Sequence, residues 1–312
     1  MPEVLITEFM DEAAVAGIAT RHDTLYDPSL ADRQAELPGL LAETRALIVR
    51  NRTQVGADLL AAAPALRCVG RLGVGLDNID VAACEAKGVA VYPATGANDA
   101  SVAEYVVTAA LVLLRGAWSG SAAVAAGEWP RQTMIGREVA GKTLGLLGFG
   151  SIARQTATRA RALGMAVAAH DPYLPADDPA WAEAQRVGFE ALLQSADVLS
   201  LHVPLTDETR GMVDAIALRL LRPEAVVVNA ARGGALDETA LADALREGRL
   251  AGAALDVFET EPLTAEDGAR FADLPNLILT PHIAGVTEES NVRVSALIAE
   301  RVLAHLADST AG

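Results

Sequence analysis

Short runs of aliphatic and β-branched residues alternate along the chain with longer Ala-, Leu- and Arg-rich stretches whose apolar positions recur at helical spacing. Within the short runs the apolar character is nearly continuous. Strands buried on both faces of a parallel sheet require that pattern, and their alternation with helices argues for βαβ units. Two sets of strands are predicted, the first near 4–6, 46–49, 66–69 and 89–92. The second falls near 143–147, 166–169, 198–201, 225–229, 252–255 and 277–280. Between the sets, 99–117 reads as one long helix, capped by Asn98 or Ser101, and 288–307 as a closing helix. The simplest architecture is α/β, with two doubly wound parallel-sheet domains. The second set is inserted into the first, and the closing helix returns to the first domain. The turn-rich stretch 171–178 is an ordinary connection rather than a linker.

Composition narrows the picture. With 312 residues and 51% apolar content the chain can bury a large core. Its longest nearly apolar stretch, 102–114, contains Glu104 and Thr108 and is too short to span a bilayer. The opening "MPEVLITEFMDEAAV" lacks a basic region followed by an apolar one, so no secretory signal is expected and the location is read as cytoplasmic. Cys68 and Cys84 stand alone, without CxxC or Cys/His metal spacing. They read as small, half-buried thiols in a reducing compartment, with no metal site. A net charge of -16 argues against nucleic-acid or anionic-membrane partners, whose phosphates would be repelled. A small anionic substrate is not excluded, because it responds to local cations. Lys87 and Lys142 are the chain's two lysines, so any carboxylate or phosphate contact must come from arginine or backbone N–H.

The stretch "TLGLLGFGSIA", residues 143–153, is a predicted strand running through Gly148, Gly150 and Ala153 into a helical pattern. Gly148 permits the tight turn, Gly150 lets the backbone approach a pyrophosphate, and Ala153 keeps the helix close to the sheet. The helix N-terminus then faces the negative charge. A second strand ends in "AAHDP", and Asp171 lies 21 positions beyond Gly150, where a ribose-binding carboxylate is expected. That acid would repel a 2′-phosphate and no arginine follows it directly, so NAD is favoured over NADP. His170 reads as a strand-end residue.

Three later strand ends carry charged or titratable residues in apolar surroundings: Arg232 in "VVVNAARGG", Asp256 and Glu261 in "GAALDVFETEP", and His282 in "LILTPHIAG". In a parallel sheet the carboxyl ends of the strands converge on one crevice, where ligands bind. Pro281 fixes the backbone ahead of His282 and pushes that ring out at the top of its strand. Reduction of a 2-oxo acid needs a cation for the carboxylate and carbonyl, which arginine's planar fork suits. It also needs a proton for the developing alkoxide. Histidine, with an ordinary pKa of about 6.5, suits that task, and Glu261 is the candidate carboxylate to hold its ring.

These stretches, together with "VRNRT", "GRLGVGLDNID", "TGANDASVAEY", "GEWPR" and "LHVPLTDETRGMV", resemble the D-isomer-specific 2-hydroxyacid dehydrogenases over nearly the whole chain. The resemblance implies a Rossmann NAD-binding domain, 98–285, inserted in a flavodoxin-like substrate domain made of 1–97 and 286–312. It implies an NAD-dependent oxidoreductase acting on the CH–OH group of a 2-hydroxy acid, and a homodimer built on the cofactor domain. Its catalytic set falls on Arg232, Glu261 and His282, with Asp256 near the nicotinamide. The family's carboxylate-binding loop falls on 72–75, where the backbone N–H groups of Val74 and Gly75 would hold the substrate. Further cofactor contacts are implied at Ser151, Ile152, Val203, Pro204, Thr209 and Ala230, beside Gly148, Gly150 and Asp171. His202, in the family's apolar-His-x-Pro-Leu motif, reads as a structural neighbour of the cofactor rather than an acid.

Within the family the chain looks closest to 3-phosphoglycerate dehydrogenases. Arg50, Arg71 and Arg131 stand where that branch reads the far phosphate, the last reaching toward a partner subunit. Together they favour a substrate with a second anionic group. Phosphonooxypyruvate fits, and so does sulfopyruvate, whose sulfonate resembles a phosphate with one less charge. The opening "LITEFMDEAA" and the short length suggest the sulfolactate type or another non-biosynthetic branch. The chain ends about thirty residues after His282, so the regulatory domain of long phosphoglycerate dehydrogenases is expected to be absent. Glu261, where formate dehydrogenases of this fold carry glutamine, argues against formate. Two alternatives stay open: a hydroxypyruvate or glyoxylate reductase, in which Arg50 and Arg71 would be idle, and a non-enzymatic NAD-sensing protein of the same fold.

Overall fold

Burial decides where the apolar runs become strands. The computed structural model describes residues 1–308. It divides into two units, Met1–Asn98 with the chain from Val286 onward, and Asp99–Gly285. The first holds β1 (Val4–Ile6), β2 (Thr24–Tyr26), β3 (Ala46–Val49), β4 (Cys68–Arg71) and β5 (Ala90–Pro93). They form an all-parallel sheet in the order β2-β1-β3-β4-β5. Every residue of β1 and β3 is buried, as strands covered on both faces demand.

The closing helix, Glu288–Asp308, packs on this sheet over Gly70. A Cβ on Gly70 would stand 2.6 Å from Ile298 Cγ2 and 3.0 Å from Val302 Cγ2. Glycine weakens a strand interior, but here its bare backbone is what lets the helix approach. Ile298, Val302 and Leu306 are fully buried against Val4, Ile48 and Cys68, and each such aliphatic side chain contributes about 1.5–3 kcal/mol. The return of the last helix, only suggested by the sequence pattern, is thus anchored by specific packing.

The second unit holds β6 (Thr143–Leu147), β7 (Ala166–His170), β8 (Gln185–Arg186), β9 (Val198–Leu201), β10 (Val226–Asn229), β11 (Gly252–Leu255) and β12 (Leu277–Leu279). The sheet order is β12-β11-β10-β9-β6-β7-β8, again all parallel. The chain winds outward from β6 through β8, then crosses to β9 on the other side of β6. That reversal leaves a crevice at the carboxyl ends of β6 and β9. Helix α1 (Asp99–Arg115) and helix α2 (Ser151–Ala162) pack together on one face. α1 begins at Asp99, so Asn98 stands just before it and Ser101 lies inside the first turn, but Asn98 Oδ1 is buried without a hydrogen-bond partner and does not cap the helix. Gly116, at φ 61°, ends the helix in the left-handed region, before the expected residue 117.

The pattern misplaced some elements. The expected strand at 66–69 lies at Cys68–Arg71, because Leu66 is buried ahead of the strand rather than in it. The strands β2 and β8 were not expected. Gln185 and Arg186 are exposed and polar, and only their pairing with Ala168 and Ala169 makes them a strand. Cys68 and Cys84 are free thiols, fully buried rather than half-buried, and burial pushes Cys68 up to about 12. Among the described residues no single helix is long and apolar enough to cross a membrane.

Candidate active site

At the end of β6 the backbone turns at Gly148, φ 89°, where a Cβ would lie 2.8 Å from the His202 carbonyl oxygen. Only glycine fits there. A Cβ on Gly150, by contrast, would meet no protein atom within 4 Å, so packing does not demand that glycine. The N-terminus of α2 at Ser151 and Ile152 has no side-chain cap, which leaves its N–H groups available. An open approach, uncapped amides and a helix dipole suit a pyrophosphate. Asp171, just beyond β7, accepts backbone N–H from Phe149 (2.9 Å), Tyr173 (3.0 Å) and Leu174 (3.1 Å). These bonds hold the carboxylate beside the turn, and a carboxylate with roughly four acceptor positions keeps capacity for a ribose hydroxyl. The residues present therefore fit a dinucleotide.

The loop after β9 closes the other side of the crevice. His202 donates its backbone N–H to Leu147, and a Val203 methyl carbon lies 3.2 Å from where a Gly148 Cβ would stand. Thr209 spends its hydroxyl inside the loop, donating to the Pro204 carbonyl at 2.6 Å and accepting from the Thr206 N–H at 2.8 Å. It shapes the segment that presents Val203 and Pro204. Desolvation lowers His202 to about 4, and its Nε2 lies 3.0 Å from Ser200 Oγ. His170 Nδ1 lies 3.1 Å from the Val187 carbonyl, where it ties β7 to the segment after β8.

The residues expected to carry the chemistry follow three neighbouring strands, β10, β11 and β12. Arg232 follows β10 and Ala230, its chain direction set by Asn229, whose amide donates to the Arg232 carbonyl at 3.0 Å. A Cβ on Gly233 would stand 1.8 Å from the Phe258 carbonyl, so the Arg232 loop presses directly on the segment that leads to Glu261. Glu261 accepts the Phe258 N–H at 3.0 Å with one oxygen and lies 2.7 Å from His282 Nδ1 with the other. Burial acts to raise the Glu261 carboxyl. The His282 contact, the Phe258 N–H and the charge of Arg232 outweigh it, and the net direction is downward. Three elements distant in sequence are thus brought to one place. His282 sits at φ 55°, unusual for a residue with a Cβ. Its N–H donates to the Asp256 carbonyl at 2.8 Å. The Asp256 carboxylate, 1% exposed, accepts the N–H groups of Ile283 (2.8 Å) and Ala284 (2.7 Å), so it shapes the histidine loop from beneath.

In the first unit Arg50 and Arg71 end neighbouring strands, with Val49 and Arg71 paired in register. The Arg50 guanidinium donates to Asn291 at 3.0 Å, and burial draws this arginine downward against the opposing charge of Glu8. Glu8, 4% exposed, accepts backbone N–H groups from Arg50, Asn51, Arg52 and Thr53 and so sets the shape of that loop. Nη1 of Arg71 folds over Gly73, 1.4 Å from where a Cβ would stand. Among the described residues the N–H groups of Val74 and Gly75 donate to no protein acceptor. Arg131 belongs to the second unit and is exposed. Glu8 and Asn291 were missed in the sequence, although an acid at the end of an apolar strand run was a usable signal for Glu8.

Residues 107–284 match the model of the D-isomer specific 2-hydroxyacid dehydrogenase NAD-binding domain, more than half of the chain. The chain belongs to the D-isomer-specific 2-hydroxyacid dehydrogenases. It is 54% identical over 303 residues to a (S)-sulfolactate dehydrogenase of Chromohalobacter salexigens, covering 97% of each chain. It is 40% identical over 307 residues to a D-3-phosphoglycerate dehydrogenase of Mycobacterium leprae, covering 98% of this chain but 57% of that one. The solved structure of the TT0316 protein of Thermus thermophilus superposes with a TM-score of 0.88 at 31% identity, covering 98% and 97% of the two chains. This dehydrogenase is an NAD-dependent oxidoreductase acting on CH–OH groups, with the two parallel-sheet domains that its motifs predicted.

Proposed function

We propose that this dehydrogenase interconverts (S)-3-sulfolactate and 3-sulfopyruvate, with Arg232, Glu261 and His282 as its catalytic residues. The observation that carries the substrate assignment is the pair Arg50 and Arg71 at adjacent strand ends, beside the unspent N–H groups of Val74 and Gly75. The N–H pair suits the carboxylate, and the arginines suit a second anion. The likeness to a protein named (S)-sulfolactate dehydrogenase supports the sulfonate over the phosphate. The descriptor agrees with a D-specific enzyme. The sulfur-bearing carbon outranks the carboxyl in naming, so (S)-sulfolactate has the spatial arrangement of a D-2-hydroxy acid.

In the reductive direction Arg232 holds the carboxylate and polarises the C2 carbonyl. When bound, NADH supplies the hydride to C2. His282 engages Glu261 through Nδ1, which leaves Nε2 to give its proton to the oxygen as the carbonyl electron pair localises there. Glu261 orients the ring and stabilises the imidazolium. In oxidation the neutral ring takes that proton back. Gly148, Gly150, Ser151, Ile152, Val203, Pro204 and Ala230 would line the cofactor, Asp171 would take the adenosine ribose, Thr209 would shape the loop beside it, and the buried Asp256 would support the nicotinamide side from beneath the His282 loop.

The test compares kcat/KM for sulfopyruvate, phosphonooxypyruvate, hydroxypyruvate and glyoxylate with NADH under identical conditions. Sulfopyruvate is expected to lead. Arg50→Ala and Arg71→Ala should each raise its KM by about tenfold or more, the scale of a charged hydrogen bond of roughly 1.5–3 kcal/mol, and leave glyoxylate unaffected. Indifference of both arginines with glyoxylate preferred points to a simple reductase. No turnover on any of the four points to an NAD sensor. We also infer a cytoplasmic homodimer built on the cofactor domain, with Arg131 contributed to the partner. The exposed Trp118, Val124, Trp129 and Ile135 of one segment support the association, and two buried free thiols support the compartment. Light scattering on the purified protein checks the dimer.

A further inference from the structure

We propose that Tyr105 and Thr280 are positioning residues for proton transfer, acting through Asp256 on His282. The inference rests on the reading of His282 as the acid. Thr280 Oγ1 donates to Asp256 Oδ1 at 2.6 Å, and the Tyr105 hydroxyl lies 2.6 Å from the same Thr280 oxygen. Proton accounting sets the direction: the threonine has a single hydroxyl proton and the carboxylate takes it, so Tyr105 must donate to Thr280. Burial and the charge of Asp256 push the Tyr105 phenol up, against the hydrogen bond to Thr280, so it keeps that proton. Asp256 passes the constraint on. Its carboxylate holds the N–H groups of Ile283 and Ala284, and its carbonyl holds the N–H of His282 itself.

The reason for such a chain lies in the backbone. His282 occupies a positive φ that a residue with a Cβ adopts only where its surroundings over-determine it. Four hydrogen bonds to Asp256 from Thr280, His282, Ile283 and Ala284 supply that over-determination, around a carboxylate that is itself buried. Tyr105 ties the cluster to α1, whose 17 residues give a rigid base on the sheet. Without the phenol, Thr280 can turn away from Asp256, the histidine loop loosens, and the ring drifts from the line joining Glu261 to the substrate oxygen. Small misplacements of an acid reduce turnover without weakening ground-state binding.

The experiment measures kcat, KM and the pH dependence of 2-oxo acid reduction for Thr280→Val, Thr280→Ser, Tyr105→Phe and the double variant T280V/Y105F, beside His282→Ala. Losing one hydrogen bond in this chain should lower kcat about tenfold in T280V and several-fold in Y105F. KM for the 2-oxo acid and NADH binding by fluorescence should stay within about twofold, since neither group touches a ligand. The pH profile of kcat should shift from that of the parent chain, and T280S should recover most of the activity lost in T280V. Because the two groups act in series, the double variant should be no slower than T280V. Full kcat with an unshifted profile in T280V and Y105F would overturn the proposal, as would effects that multiply in the double variant. An inactive H282A alongside those results leaves the acid reading intact and sinks only this inference. A fully active H282A sinks the acid reading itself.

Discussion

The loops that follow β9 and β12 each carry a histidine just past the carboxyl end of a parallel strand, and the two rings live in opposite environments. His202 is half-buried, meets a hydroxyl rather than a carboxylate, and is held by desolvation near 4, neutral at ordinary pH. His282 is turned outward by a positive φ, is 40% exposed, and has the Glu261 carboxylate 2.7 Å from its Nδ1. Position at a strand end therefore does not by itself fit a histidine for proton transfer. What separates the two is a charged partner on one ring nitrogen and open access to the other.

The contrast can be broken at either histidine. The largest effect is expected for His282→Ala, which should lower kcat by about two to four orders of magnitude with NADH binding retained, measured by steady-state kinetics and cofactor fluorescence. Glu261→Gln should cost roughly ten- to a hundredfold in kcat and change the pH profile of reduction, because the ring loses the carboxylate 2.7 Å from its Nδ1 that orients it. In the proposed mechanism reduction needs the protonated ring and oxidation the neutral one, so the two directions should lose activity at opposite ends of the pH range. His202→Asn should leave kcat within about threefold and the pH profile of turnover in place, because this ring moves no proton.

A different measurement sharpens the comparison at His202. Its pKa falls from the usual 6.5 to about 4 on folding, so the unfolded chain binds the proton more tightly. Above 6.5 the ring costs nothing, and stability is lost as pH drops through the window down to 4. At pH 5 the loss amounts to about 2 kcal/mol. Denaturant unfolding at pH 7 and pH 5 should show a smaller acid penalty in His202→Asn than in the parent chain. An equal penalty in both would mean that the ring is hydrated rather than buried.

Much of the fold could be read from the chain because its strands are buried on both faces, which leaves an unmistakable apolar run. β2 and β8 escaped for the opposite reason. They lie at sheet edges, and Gln185 and Arg186 carry no apolar signal at all, so their strand character comes from pairing alone. The site divides the same way. Gly148, Gly150 and Asp171 announce themselves through spacing, since a turn, a bare backbone and an acid must fall at set distances. Arg232, Glu261 and His282 could be suspected as charges at strand ends. Their meeting depends on strand order, and no local pattern states that β10, β11 and β12 are consecutive neighbours. Tyr105, Thr280 and Asn291 gave little warning, because the bonds they make reach distant parts of the chain, whereas Glu8 stood out only as an acid closing an apolar run.

The amino-acid sequence by itself determined the strand and helix alphabet, the dinucleotide turn and the types of residue at each strand end, because these follow from local sterics and from periodic burial. Only the tertiary structure decided that Glu261 faces one ring nitrogen of His282 while Asp256 grips its backbone, and that His202 is left neutral. Those outcomes depend on distance and desolvation between segments that strand pairing brings together, and neither quantity is a property of any single stretch of chain.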